Sequence, residues 1–211
     1  MKFHLTRTAG LAAAVAVLAG GGLATAAVAG TTNHANATVA NAQAAVPALK
    51  PTQLSFVEKS WGDPKTDVGV ITLTPKGWTM VKLSTFEAKF TSPNKVWNVR
   101  IHGNAAATPM KKAVAAKLKQ LHAVKGFKLI SQTNGKVRAT SPYMEGETYT
   151  FTTIVYGYPD GARGTRLVAE RIVSTYADTQ EFELSAGGRP QDRAGLETAV
   201  NAATRDYVRL P

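Results

Sequence analysis

A predicted amphipathic helix carries the basic side chains best suited to binding. Residues 108–124 place apolar side chains at helical spacing, with Thr108 as the N-cap and Pro109 at the first helical position. Lys112 and Lys119 lie opposite the apolar stripe of this helix. Lys111 and Lys117 flank the stripe. Because the helix contains no Glu, these lysines have no acidic partner one turn away. The helix is therefore predicted to present a basic outer face, which either binds anions or is an ordinary solvated surface with snorkelling lysines.

A glycine-containing loop supplies the second basic candidate. Residues 157–164 include Asp160 and Arg163 among glycines, and Arg166 follows shortly after. The backbone N–H groups of such a loop can form an anion-binding nest. The loop is predicted to be either a nest of this kind or a plain hairpin connection, with Arg163 and Arg166 as candidate binding residues.

The residue types that catalyse hydrolysis or hold metals are present without a recognised arrangement. The predicted domain contains His102 and His122, and no His-Glu-x-x-His spacing joins them in a metal site. No Gly-x-Ser-x-Gly sequence is present either. Acidic pairs at strand spacing are Glu145 with Glu147 and Glu181 with Glu183. Such pairs are also common at exposed strand edges. We therefore predict no catalytic residue, no metal site and no cofactor.

The first 29 residues have the features of an export signal. Lys2 and Arg7 are positively charged, and a run rich in Ala, Val and Leu extends over residues 11–23. The small residues Ala27-Val28-Ala29 predict cleavage after Ala29. The same pattern also fits Ala24-Thr25-Ala26 and Ala35-Asn36-Ala37. A retained anchor is the alternative, but a transmembrane helix needs about 20 predominantly apolar residues. The protein is therefore predicted to be secreted or extracytoplasmic, with no stable membrane span after cleavage.

Composition predicts one basic domain after the signal. Residues 30–50 are rich in Ala, Asn and Thr and predict a flexible spacer, and residues 51–211 predict a single domain. Cysteine is absent, which excludes disulfides, thiolate metal sites and lipoprotein anchoring through a Cys. Subtracting Lys2, Arg7 and Lys50 from 25 Lys+Arg leaves 22 against 14 Asp+Glu, so the domain carries about +8. This charge either favours anionic wall polymers and lipid head groups or keeps the protein soluble. Nucleic acid is not an expected partner, because no nucleic-acid motif is present.

The first part of the domain is predicted to consist of strands joined by tight turns. The strands are expected at residues 54–59, 68–74, 88–91 and 96–102. Pro75-Lys76-Gly77 supplies a turn after the second of them. Trp78, directly after this turn, is expected to cover one end of the core, with ligand stacking as the alternative.

The second part is predicted to contain a hairpin and a three-stranded meander. Asn134-Gly135, the dipeptide most typical of a two-residue hairpin turn, predicts strands at residues 127–133 and 136–140. Residues 148–187 predict three consecutive antiparallel strands. The first two have apolar residues on both faces, so they are expected to be covered on both sides. The third, residues 180–186, has one polar face and is expected nearer the edge of the sheet.

A second amphipathic helix is predicted over residues 190–208. Leu196, Val200, Ala203 and Tyr207 recur at helical spacing. Asp192 near its start and Arg205 and Arg209 near its end match the helix dipole. This helix is expected to pack over the strands that precede it.

Several of these features follow one another in an order known from other proteins. They are Pro75-x-Gly77-Trp78, the helix at residues 109–124, Phe127-Lys128-Leu129, the meander and the terminal helix. Over residues 54–207 this order resembles the Mog1/PsbP-like superfamily and, within it, the actinobacterial LpqN/LpqT-type exported proteins. The resemblance implies an α+β fold in which helices flank both faces of an antiparallel β-sheet, an α/β/α sandwich. It also implies a non-catalytic binding or adaptor protein. LpqN-type proteins typically carry a lipobox Cys, which this chain lacks.

Two functions remain open on these observations. The first is an exported, non-catalytic binding or adaptor protein of the bacterial cell envelope, which engages an anionic component or a protein through the basic helix face or the loops. The second is a secreted hydrolase with an unrecognised active site, motivated by export and by the acidic pairs.

Overall fold

The computed structural model describes residues 46–103, 107–175 and 178–210. The predicted signal with its cleavage site at Ala29 and most of the predicted spacer lie outside the described residues. The strands are β1 (Phe56–Asp63), β2 (Val68–Pro75), β3 (Thr79–Lys82), β4 (Glu87–Thr91), β5 (Asn98–His102), β6 (Thr108–Pro109), β7 (Lys128–Arg138), β8 (Thr148–Pro159), β9 (Thr165–Ser174), β10 (Thr179–Gln180), β11 (Phe182–Gly188) and β12 (Val208–Leu210). In the same residues the α-helices are α1 (Met110–His122) and α2 (Arg193–Arg205).

A large antiparallel sheet forms the centre of the described structure. It has seven strands in the order β3-β4-β5-β11-β9-β8-β7. Every neighbouring pair in it is antiparallel. The predicted α+β class with an antiparallel sheet is therefore confirmed.

The third strand of the predicted meander lies at the centre of this sheet, and the expectation that it lies nearer the edge was wrong. β11 pairs with β5 on one side and with β9 on the other, so that Ser185 lies opposite both Arg100 and Glu170. The expectation rested on the polar side chains of this strand, which usually indicate exposure. In the folded chain one of them, Glu183, instead contacts Lys117 of α1. The polar face therefore reflects a charged partner and not a sheet edge.

Successive residues of β8 and β9 belong to two different hydrophobic clusters. One cluster joins Val155, Leu167, Ala169 and Val173 to Leu196 and Val200 of α2. The other joins Ile154, Tyr156, Val168 and Ile172 to Met110, Val114 and Leu121 of α1. Neighbouring residues of a strand point to opposite faces. Both faces of these two strands are therefore buried, as their apolar pattern predicted.

A smaller sheet packs beside α2. It has the order β1-β2-β12, with both pairs antiparallel. Thr72 of β2 donates a hydrogen bond from its hydroxyl to the Ala203 carbonyl at 2.8 Å. Trp61 of β1 meets Phe90 of β4 edge-on, with ring centroids 5.7 Å apart. The small sheet is thereby joined both to α2 and to the large sheet.

The hairpin predicted at Asn134-Gly135 was wrong, because both residues lie within the continuous strand β7. Gly135 pairs with Phe151 of β8, and a Cβ on Gly135 would come within 2.6 Å of the Phe151 ring. The Asn134 side-chain oxygen accepts a hydrogen bond from the Thr152 hydroxyl at 2.8 Å. The glycine is required here by the close approach of an aromatic ring and not by a turn.

Both helices are shorter than predicted. Thr108 is not an N-cap: Thr108–Pro109 is the strand β6, which pairs with β10, and α1 begins at Met110. α2 ends at Arg205, and the chain continues into β12. Tyr207, predicted on the helical stripe, lies beyond α2, where its ring stacks on Phe182 and its hydroxyl donates to the Gly103 carbonyl at 2.8 Å.

The chain before β1 is attached to the start of α2 through a buried ion pair. Arg189 and Asp192 lie 2.9 Å apart, and Asp192 also accepts the Leu49 N–H at 2.9 Å. The Arg189 guanidinium donates to the carbonyls of Val46 at 2.7 Å and Pro47 at 2.9 Å. Leu49, which the sequence placed in the spacer, is 4% exposed and belongs to the core. We name the residues Val46, Pro47, Leu49, Arg189 and Asp192 the N-terminal clasp.

Candidate functional site

The outer side of α1 is a basic surface. Lys111, Lys112 and Lys119 are exposed, and so are Ala115 and Ala116 between them. Lys112 and Lys119 are seven residues apart, which is close to two turns and about 10.5 Å along the axis. The small alanine side chains leave the space between these two lysines open. Three of the four predicted helix lysines are therefore available to a partner.

Lys117 has a different environment, inside the structure. Its side chain is 13% exposed, and its Nζ lies 2.8 Å from Glu170 of β9 and 2.6 Å from Glu183 of β11. The prediction that the helix lysines lack an acidic partner one turn away is correct, but Lys117 finds two partners on the sheet instead. Burial acts to lower the pKa of Lys117, while the two carboxylates outweigh it and raise the pKa.

The sequence reasoning missed Glu170, which is the most deeply buried member of this charged centre. Its side chain is 6% exposed, and its second oxygen accepts the Tyr156 hydroxyl at 3.0 Å. Burial, and then the negative charge of Glu183, raise the pKa of Glu170 to about 7. Burial and then Glu170 raise the pKa of Tyr156. The sequence did contain a signal for Glu170, because it is a lone carboxylate between the apolar residues Val168 and Ile172 on one face of the strand.

The members of this charged centre contact one another. Lys117 lies between the two carboxylates, and Tyr156 covers the remaining oxygen of Glu170. Breaking such a buried set by removing one member costs about 3–5 kcal/mol, because the remaining charges lose their partner. The arrangement therefore attaches α1 to the sheet in one orientation and turns the exposed lysines outward.

The loop between β8 and β9 is a hairpin connection that carries Arg163, while Arg166 lies just beyond it in β9. It contains a short 3-10 helix, Gly161–Arg163. Asp160 lies 3.7 Å from Arg163 and 3.9 Å from Arg166. The Arg163 side chain is 44% exposed and that of Arg166 is 13% exposed. Arg163 is thus the more accessible of the two.

The turn after α1 contacts this loop. A Cβ on Gly126 would come within 2.6 Å of the Pro159 ring, so this turn lies close to the end of β8. Lys125 in that turn is exposed. The C-terminal end of α1 and the loop 160–164, which follows Pro159, therefore lie at the same end of the sheet.

The residues of the predicted acidic pairs have different surroundings. Glu145 and Glu147 precede β8 in a turn around Gly146, where φ is 86°. Glu181 accepts the Thr175 hydroxyl and lines a cavity with Tyr149, whereas Glu183 contacts Lys117. The members of the second pair thus contact different parts of the molecule.

The two histidines also have separate surroundings. His102 ends β5 opposite Glu183 and Glu87, and burial lowers its pKa below the ordinary value. His122 ends α1 and meets the Phe127 ring edge-on at 4.9 Å. Among the described residues, no group of three or more His, Asp or Glu side chains is placed to hold a metal ion. Over the same part of the chain, no helix has the length and apolar character to cross a bilayer.

Comparison with known proteins finds similarity in structure. No family model and no curated protein matches the sequence. The chain is similar to the Ran-binding protein Mog1p of Saccharomyces cerevisiae, at 9% identity over 73% of this chain and 96% of that chain, with a TM-score of 0.43. It is also similar to LpqN of Mycobacterium tuberculosis, a protein involved in cell envelope biogenesis, at 16% identity over 79% of this chain and 100% of that chain, with a TM-score of 0.44. Mog1p and LpqN carry the names of the two groups that the sequence was expected to resemble. At such identities the similarities concern the fold alone.

Proposed function

We propose that the protein is an exported, non-catalytic binding or adaptor protein of the bacterial cell envelope that engages an anionic partner through the outer side of α1. The observation that carries this proposal is the pair Lys112 and Lys119, exposed on one side of a helix, with Ala115 and Ala116 as the exposed residues between them. The export signal predicted before residue 30 supports the location.

The orientation of α1 supports this use of its outer side. We propose that α1 and α2 cover opposite faces of the large sheet, as in an α/β/α sandwich, because they pack on alternate residues of β8 and β9. The apolar side of α1 then faces the sheet, and Lys112 and Lys119 face outward. Lys117 is outside this surface, since its charge is paired with Glu170 and Glu183.

The surface extends toward the loop between β8 and β9. Lys125 lies in the turn after α1, where Gly126 approaches Pro159, and Arg163 lies in the loop that follows Pro159. Lys111 extends it at the other end of the helix. Arg166 supports this surface mainly because it shares the carboxylate of Asp160 with Arg163. A partner that bears negative charges along an extended or planar surface would contact several of these cations at once.

An anionic envelope component matches this surface better than a neutral one. Each Lys or Arg close to an anionic membrane surface contributes about 1 kcal/mol at physiological salt, and this attraction decreases within a Debye length. Phosphate-bearing wall polymers and anionic lipid head groups share this chemistry, as does an acidic patch on a partner protein.

Charge reversal on α1 tests the proposal. The protein without residues 1–29 is compared with the double variant Lys112→Glu/Lys119→Glu, using vesicles with and without phosphatidylglycerol and purified cell walls in separate arms. Since two cations become two anions, we expect binding to weaken about tenfold or more in the arm that contains the true partner.

The matched control is Lys59→Glu/Lys65→Glu, which changes the net charge equally at exposed positions on β1 and the turn after it. This control is expected to retain most of the binding. An equal loss in both double variants would show that net charge alone acts. No binding by the parent protein in any arm at low salt would remove the anionic-partner proposal.

A further inference from the structure

We propose that a cavity beside Trp78 and Trp97 binds a small organic anion with a flat apolar body, such as an aromatic carboxylate. This site is distinct from the basic surface of α1. It lies where the N-terminal clasp meets the turns that precede β3 and β5.

The cavity has the size and the walls of a small-molecule site. Its volume is about 300 Å³. Such a volume is at the lower end of the range for ligand pockets. Its apolar walls are Val46, Pro47, Leu49, Leu54, Trp78 and Trp97, and its polar side chains are Gln53, Ser55, Lys76 and Asn94.

Two tryptophans supply flat surfaces. The rings of Trp78 and Trp97 are nearly parallel, with 19° between their planes and 6.5 Å between their centroids. Both are only partly buried, so part of each ring remains accessible. Trp78 packs against the core, as expected, and it also lines the cavity. Flat apolar groups pack well on such rings.

The wall of the cavity that Val46, Pro47 and Leu49 form is held in place by the other residues of the N-terminal clasp. The Arg189 guanidinium binds the carbonyls of Val46 and Pro47, and Asp192 binds the Leu49 N–H. Burial acts to raise the pKa of Asp192, but hydrogen bonds from Arg189 and Leu49 outweigh it and lower the pKa. Asp192 therefore remains charged at neutral pH and keeps this wall ordered. A preformed wall reduces the ordering cost of binding.

The polar side chains of the cavity are left mainly with hydrogen-bond donors. The Gln53 side-chain oxygen already accepts the Lys50 N–H at 2.9 Å. The Asn94 side-chain oxygen accepts the Val96 N–H at 3.1 Å and the Ser92 hydroxyl at 2.7 Å. Each amide group therefore keeps its NH₂ for a ligand. The carbonyls of Val46 and Pro47 are occupied by Arg189.

Lys76 adds a positive charge to these donors. It is exposed at the turn after β2, and within the described residues no carboxylate forms an ion pair with it. Ser55 supplies a hydroxyl that donates as well as accepts. A ligand that satisfies this set must bring acceptors and negative charge, while its body must be apolar to lie against the tryptophans. An organic carboxylate with a flat ring has both properties.

Two probes of the same shape test this inference. Binding of 2-naphthoate and of neutral 2-naphthamide to the protein is measured by titration calorimetry. We expect 2-naphthoate to bind at least about tenfold more tightly, since its carboxylate forms a charge-assisted hydrogen bond that the neutral amide does not form. Equal affinities, or no binding of 2-naphthoate, would overturn the proposal.

Variants locate the site. Lys76→Gln is expected to weaken 2-naphthoate about tenfold and to leave 2-naphthamide unchanged, whereas Lys76→Arg retains binding. Lys65→Gln, an exposed lysine in the preceding turn, is the matched control and should not change either affinity. Equal weakening by Lys76→Gln and Lys65→Gln would contradict the site.

A third measurement does not depend on the folding of any variant. In amide correlation spectra of the parent protein, 2-naphthoate should shift the signals of Gln53, Asn94 and the Trp78 and Trp97 side chains. Shifts confined to α1 would place the probe on the basic surface and overturn the proposal.

Discussion

The same residue type has two different roles along one short helix. Lys112 and Lys119 are exposed, while Lys117 is held between Glu170 and Glu183. Helical spacing separated Lys112 and Lys119 correctly as outward-facing residues, because their direction depends only on the helix itself. The partners of Lys117 lie 53 and 66 positions away along the chain. Such distant contacts depend on the sheet order, which local spacing does not reveal.

Removing the charge of Lys117 is expected to destabilise the fold. The variant Lys117→Met leaves two neighbouring carboxylates without their cation, so the free energy of unfolding should fall by about 3 kcal/mol or more. Lys112→Met on the same helix is the matched control and should change it by about 0.5 kcal/mol or less. Urea unfolding followed by circular dichroism measures both. Equal effects would contradict the assignment of different roles.

Glu170 gives the stability a pH dependence of defined sign. Its pKa is raised to about 7 in the folded protein, against 4.5 as the ordinary value. The native state therefore binds more protons than the unfolded state between these values, and this contribution to stability is lost as pH rises from about 4.5 to 7. Lys117, Glu183 and Tyr156 face the carboxyl group, and Lys117 limits the shift.

The expected contribution of Glu170 over this window is about 1–3 kcal/mol. Glu170→Gln should flatten the decrease in stability across the window, because the side chain no longer titrates. Glu145→Gln, at an exposed position in the turn before β8, should retain the parent pH profile. Urea unfolding at several pH values measures the slope. If Glu170→Gln kept the same slope of stability against pH as the parent protein, that slope would arise from other groups.

The elements show which kind of sequence signal predicts structure and which kind fails. The period-two pattern of β8 and β9 correctly predicted strands with two buried faces, because alternation follows from strand geometry itself. The Asn134-Gly135 signal failed because the glycine is needed for the Phe151 ring on the neighbouring strand. An Asn-Gly dipeptide alone does not show whether the glycine is needed for a positive φ in a turn or for a close approach between strands.

Local sequence patterns could not predict the strand order, for a related reason. The polar face of β11 suggested an edge, yet this strand lies fourth of the seven in the described sheet. Its neighbour β5 ends about 80 residues earlier in the chain, and that pairing has no local signature. The basic face of α1 could be predicted from the sequence, whereas the charged centre beneath it and the cavity beside Trp78 could not.

At the scale of the whole molecule, the chain before β1 belongs to the fold. The predicted domain began at residue 51 because residues 30–50 show no apolar period. A single apolar residue, Leu49, nevertheless enters the core, and a Cβ on Gly195 of α2 would come within 2.5 Å of it. Three separated contacts of Arg189 and Asp192 with Val46, Pro47 and Leu49 hold this segment. The segment also forms a wall of the cavity beside Trp78 and Trp97.

Two truncations distinguish a domain that starts at residue 46 from one that starts at residue 51. A chain of residues 46–211 keeps the N-terminal clasp and should unfold at the same urea concentration as the chain without residues 1–29. A chain of residues 51–211 loses Leu49 and leaves Arg189 without its two carbonyl acceptors. Loss of one buried Leu side chain costs about 2–5 kcal/mol, so the unfolding free energy should fall by at least that amount. The shorter chain should also lose its selectivity for 2-naphthoate over 2-naphthamide, because the cavity loses a wall. If both truncated chains were equally stable, the clasp would not contribute to the fold, and residue 51 would stand as the start of the domain.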